Sequence, residues 1–399
     1  MIAYNKTKLL NRRIVKKAKQ WYAQLLLSTE QFTMAMERYR VDFYTPNTFV
    51  KIGLFLFTWI SLFAATGLFS LFLMPLFEHA SSGVFAFLCG LVATSCVLLL
   101  EMLIRQRKLY RSGIDEALLY AALFFVGCAI GILLDGWFHD TANTVLLFCI
   151  FSTPLLAAAA VRYADTLVSF ILFACCYTVY FLLLLKLGDV AKVIMPFAFI
   201  LLSALLYLGL KKIEHKEELQ YWKPVMIVFE CGSLLLFYLS GNYYVIREAS
   251  VAFFGLSLGK GEDIPLAPFF YLFTAIVPCI YVFFGLKQKD RVLLWMGLLV
   301  VAASAVTFKY YFSTDHPEVL LVITGIILIG ISYAAIKYLK MPRHGITFKE
   351  DPDENNFLQT NAEALLQARS FHQSQHVPAA HQTEFGGGSS GGGGATGDW

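Results

Sequence analysis

Residues 164–186 read ADTLVSFILFACCYTVYFLLLLK. Between Asp165 and Lys186 no residue is charged, and the apolar side chains leave no polar stripe at helical spacing. A helix on the surface of a soluble protein keeps such a stripe toward water. A strand of a membrane barrel alternates apolar and polar residues over about ten positions, which this run does not do. About 20 apolar residues wound as a helix cross the hydrocarbon core of a bilayer. The segment therefore reads as one transmembrane helix.

Runs of the same kind recur on both sides of it. The expected spans lie near 52–77, 82–104, 114–134, 142–161, 164–186, 190–210, 223–241, 265–285, 289–307 and 317–339. The expected fold is an all-α polytopic membrane bundle of about ten helices. Composition agrees. The 399 residues are 58% hydrophobic and 15% charged, with a mean hydropathy of +0.62. Soluble domains average roughly 45–50% apolar and about 25% charged residues. Three segments follow: a basic amphipathic stretch over 1–51, the bundle over 52–340 and a tail over 341–399.

Lysine and arginine set the orientation. Ahead of the first span stand Lys6, Lys8, Arg12, Arg13, Lys16, Lys17, Lys19, Arg38, Arg40 and Lys51. With that segment in the cytoplasm, the connections on its side carry Arg105, Arg107, Lys108 and Arg111; Arg162; Lys211, Lys212, Lys216 and Lys223; and Lys287, Lys289 and Arg291. The opposite loops hold Lys186, Lys192, Arg247, Lys260 and Lys309. An even number of spans keeps this alternation and places both termini in the cytoplasm. No cleavable signal peptide is expected, since the first apolar run begins near residue 52.

Residues 6–40 are expected to form a helix on the inner membrane surface. Ile14, Ala18, Trp21, Leu25, Phe32 and Met36 fall on one stripe, beside Arg12, Arg13, Lys16, Lys17 and Lys19. Such a helix attracts anionic lipid headgroups, each charge contributing roughly 1 kcal/mol near the surface. The membrane accounts for this positive charge, so the sequence assigns no nucleic-acid partner.

Past residue 341 the composition turns acidic, then rich in Gln, His and Ser, and it cannot bury enough apolar surface to fold. It ends FGGGSSGGGGATGDW at 385–399. That ending resembles the Gly-rich tails with a final aromatic residue on many bacterial membrane-anchored proteins, including those carrying a TPM domain. The resemblance implies a bacterial source, hence an inner-membrane location, and names no activity.

Glu230, in VMIVFECGSLLLF, stands out chemically. At 1.5 Å rise per residue it lies about 9 Å along the helix from Pro224. An ionisable group at that depth costs a few kcal/mol unless it is paired, neutral or wetted. It reads either as a proton or cation site or as an acid bonded to a neighbouring helix. Glu101 is expected to pair with Arg105 at i,i+4. Asp115 and Glu116 suit the N-terminal dipole of the third span. Arg162 and Asp165 sit in the turn between spans four and five as candidate caps, with Arg162 of further interest should the bundle bring it to Glu230. Glu230, Glu101 and Arg162 are the candidate binding residues.

The other motifs are weaker. Gly127 and Gly131 form GxxxG, and Ala157 to Ala160 give the fourth span a small face, both suited to close packing. Residues 255–259 spell GLSLG, a nucleophile pattern that functions only within an α/β sheet. A short interfacial helix is expected near 251–258. The eight cysteines all fall in apolar runs, which argues against disulfides. No cofactor or metal fingerprint is present. Three functions remain in play: movement or binding of a small solute or proton through Glu230; a non-catalytic scaffold or assembly factor; and an enzyme on lipid or envelope precursors using His139, Asp140, Ser257 and His316.

Overall fold

The computed structural model describes residues 2–73, 81–135, 141–214, 216–255 and 263–311, with residues 325, 326, 329, 330, 333 and 337 besides. Two short helices come first, α1 (Lys6–Ala23) and α2 (Thr29–Arg38). Long helices follow: α3 (Thr48–Leu73), α4 (Ser82–Arg107), α5 (Ile114–Asp135), α6 (Thr141–Tyr163), α7 (Thr166–Leu185) and α8 (Asp189–Ile213). After a 3-10 turn over Glu217–Trp222 come α9 (Lys223–Leu239), α10 (Tyr243–Phe254), α11 (Ala267–Gln288) and α12 (Arg291–Tyr311).

Among the described residues, nine helical segments are long and apolar enough to cross a membrane: α3 to α8, α9 together with the end of the 3-10 turn before it, α11 and α12. Most of the tenth expected span, 317–339, and all of the tail lie outside the described residues. Large apolar side chains project outward around the bundle, with Phe57, Phe72, Leu98, Leu201 and Trp295 each more than 60% exposed. A monomer in water rarely exposes contiguous apolar patches beyond a few hundred Å². This exterior is suited to lipid.

The helices pair as successive hairpins, α4 on α5, α6 on α7, α8 on α9 and α11 on α12. Contacts of α3 and α6 with α5, of α7 with α9 and of α9 with α12 join the hairpins laterally. One apolar core forms around Leu100, Leu118, Ala160, Tyr163 and Val168, and a second around Leu234, Tyr238, Val277, Tyr281 and Val300. The small face of α6 is used, since Ala159 and Ala160 are buried. The GxxxG of α5 is not a close helix contact: a Cβ on Gly131 would meet nothing within 4 Å, and one on Gly127 only a Phe148 ring carbon at 3.7 Å. Tight approaches lie elsewhere, Gly285 among them. A Cβ on Gly285 would come within 2.9 Å of the Leu294 backbone, where α11 turns into α12.

The stretch 6–40 is not one helix. Leu25 takes φ 60°, which stops α1, and Ser28 with Gln31 forms a reciprocal capping box that starts α2. The Ser-x-x-Gln spacing was the available signal in the sequence. Of the helix expected near 251–258, residues 251–254 fall in α10, which begins earlier because Asn242 caps it by accepting from the Val245 amide, and residues 256–258 lie outside the described residues.

The N-terminal segment packs across one end of the bundle. The Ala3 amide donates to the Arg162 carbonyl at 2.7 Å, and the Tyr4 hydroxyl donates to Asp115 Oδ2 at 3.2 Å. Asp42 bridges Lys8 and Lys108. Arg13 donates to the Gln220 side chain and carbonyl, and the Trp222 indole donates to the Val161 carbonyl. These contacts gather the α4–α5, α6–α7 and α8–α9 connections at one end, called here the basic face.

Candidate functional site: a lysine held by three carboxylates

Lys211 lies in the last turn of α8. Its Nζ stands 2.5 Å from Glu230 Oε1, 2.7 Å from Asp290 Oδ2 and 3.0 Å from Glu214 Oε2. Each acid comes from a different place. Glu230 projects from the second turn of α9 and is 5% exposed. Asp290 precedes α12 and caps it through Oδ1, which accepts from the Val292 and Leu293 amides. Glu214 is the C-cap of α8 itself. The lysine approaches Glu230 Oε1 as a close ion pair. The Tyr207 ring lies 5.9 Å from the ammonium.

The charges do not balance within this cluster. One ammonium and three carboxylates sum, when all are ionised, to +1 − 3 = −2. Buried charge in excess of its counter-charge is costly in an apolar surrounding. Among the described residues no group of three or more His, Cys, Asp or Glu side chains is arranged to hold a metal ion. An ammonium occupies the centre of this one.

Glu101 and Arg162 form a separate pair. Arg162 Nε donates to Glu101 Oε1 at 2.6 Å, and the Tyr163 hydroxyl donates to the same oxygen at 2.9 Å. Arg105, the expected partner, reaches Glu101 Oε2 only at 3.8 Å and is largely exposed. The tertiary partner prevails because α6 ends beside α4, and a charge-assisted hydrogen bond at this distance is stronger than a loose i,i+4 contact. Arg162 and Glu230 thus each have a partner of their own. Asp165 does cap α7 through the Val168 amide and also accepts from the Tyr120 hydroxyl. Asp115 accepts from the Arg111 and Ser112 amides and from Tyr4, while Glu116 pairs with Lys51 at 2.6 Å.

Of the functional candidates in the sequence, Glu230 is the one placed in a multi-helix charge cluster. Its partners Lys211, Glu214 and Asp290 look from sequence like ordinary boundary residues, and no spacing rule links the end of α8 to the start of α12. His139, Asp140, Ser257 and His316 lie outside the described residues.

Among the described residues, nine helices with the length and apolar composition to cross a membrane give the chain the character of a membrane protein. Compared with protein-family models, with curated proteins and with solved structures, the chain matches none.

Proposed function

We propose that the protein is a bacterial inner-membrane protein with both termini in the cytoplasm, and that it binds and moves a small solute together with a proton or cation. The observation that carries this reading is the cluster at Lys211. Three carboxylates from separate elements compete for one ammonium, with a formal surplus of two negative charges. A proton or small cation entering the cluster offsets that surplus. It also loosens one of the contacts that tie α8 to α9 and α12. Differential affinity for two helix arrangements is the requirement for coupling a bound ion to a conformational change. The burial of Glu230 within an apolar run supports the same assignment. The lysine and arginine distribution, together with the Gly-rich ending, supports the location.

The test is flux in proteoliposomes carrying a pH-sensitive dye. The intact protein should collapse an imposed pH gradient in the presence of its solute, and Glu230→Gln should slow that collapse at least tenfold. Equal flux through Glu230→Gln and the unsubstituted protein, at equal reconstitution, removes the cluster from the mechanism.

A further inference from the structure

Between α1 and the bundle, at the basic face, lies a cavity of about 780 Å³. Its walls include Arg12, Arg13, Lys16, Lys19, Arg111 and Lys223, and no aspartate or glutamate among the described side chains. The cations converge from three elements: α1, the α4–α5 connection and the start of α9. Tyr4, Tyr110, Tyr163 and Tyr221 line it as well, and Ile227 and Val228 of α9 form its apolar side.

Arg12 and Arg13 of α1 are partly buried against the protein, beside the buried Ala18, while Trp21 at the end of the helix is half exposed. The Arg12 guanidinium lies over the Tyr110 ring at 4.4 Å, and Arg111 approaches the same ring at 5.9 Å. Burial lowers the affinity of Arg12 for its proton; Tyr110 opposes that effect and Arg111 adds to it. Among the described residues, Arg12, Arg13, Lys19, Arg111 and Lys223 make no ion pair. Like charges lining one cavity repel one another, and a multivalent anion removes the repulsion. Guanidinium groups present fork geometry that matches phosphate oxygens. A volume of this size accommodates a small ligand.

We infer that this cavity binds a phosphate group, in the form of an anionic lipid headgroup or a soluble phosphate ester, between Arg12, Arg13, Arg111 and Lys223. The site is separate from the Lys211 cluster and does not depend on transport. A bound phosphate also fastens α1 to the bundle, because its ligands come from both.

Native mass spectrometry of the purified full chain tests this directly. The protein is exchanged from nanodiscs of phosphatidylcholine with one-fifth phosphatidylglycerol, and from nanodiscs of phosphatidylcholine alone. Retention of phosphatidylglycerol is expected, falling about tenfold or more in Arg12→Gln/Arg13→Gln/Lys223→Gln and unchanged in Lys212→Gln/Lys287→Gln. Glycerol phosphate added at millimolar concentration separates the two sources. Displacement of the lipid, with a rise in Tm of the lipid-free protein, assigns the site to soluble phosphate esters. Retention despite the competitor assigns it to lipid. Equal retention by the triple variant and the unsubstituted protein overturns the inference. Should the triple variant not fold, the unsubstituted protein decides alone: no phosphatidylglycerol retained and no Tm shift with glycerol phosphate likewise overturns it.

Discussion

Lys211 Nζ lies 2.5 Å from Glu230 Oε1, so a buried acid of α9 is held by a lysine from the preceding long helix. The two residues do not contribute equally to stability. Lys211 has two further acids in reach, Asp290 and Glu214. Glu230→Gln leaves the lysine with those partners and should cost about 1 kcal/mol. Lys211→Met leaves three carboxylates facing one another and should cost about 3 kcal/mol. Thermal unfolding in detergent micelles measures both. Equal losses would show that the three acids do not share the lysine.

Arg162 and Glu101 join the ends of α6 and α4 at 2.6 Å. Arg162 is 41% exposed along its side chain, so its removal is partly screened by solvent. Arg162→Ala should destabilise by about 1–2 kcal/mol, and adding Glu101→Gln should recover part of that loss. Arg105→Ala should cost less than about 0.5 kcal/mol, since its contact is long and exposed. A double-mutant cycle on Tm separates the pairs.

Gly113 decides how closely the start of α5 meets α3. Its φ of 95° is unfavourable for any residue with a Cβ, and a Cβ there would stand 2.2 Å from the Lys51 carbonyl oxygen. Gly113→Ala should cost about 2–5 kcal/mol through strain and displacement together. Gly131→Ala, with open space around it, should be neutral or stabilising by up to about 1 kcal/mol. Comparing the two in unfolding experiments also tests whether the GxxxG of α5 is a packing motif.

Asp42 should make the attachment of α1 depend on pH. Lys8, as hydrogen-bond donor and charge, and then Lys108 hold its carboxyl below the ordinary carboxylate range. A folded-state value lower than the unfolded one gives stability that is present above the unfolded range. It is lost as pH falls through the depressed value. Hydrogen exchange of residues 6–23, corrected for intrinsic rates, should therefore accelerate on acidification from about pH 6 to about pH 3. Asp42→Asn should flatten that dependence.

The order and approximate extent of the long helices could be read from the sequence, because lipid imposes a simple demand. A backbone in hydrocarbon must satisfy its own hydrogen bonds, and about 20 apolar residues in a row announce where that happens. Glu230 was legible for the same reason: a carboxylate at that depth is conspicuous. Its partners were not. Lys211, Glu214 and Asp290 sit where charged residues ordinarily end helices, and their convergence depends on how α8, α9 and α12 pack. Contacts between residues far apart in sequence leave no local pattern. The break at Leu25 to Ser28 had a capping signal. The inward turn of the α1 arginines had none, since a helix has the same sequence whether its cations face water or a neighbouring wall of protein. Apolar length determined which segments leave water; lateral packing decided which charges meet.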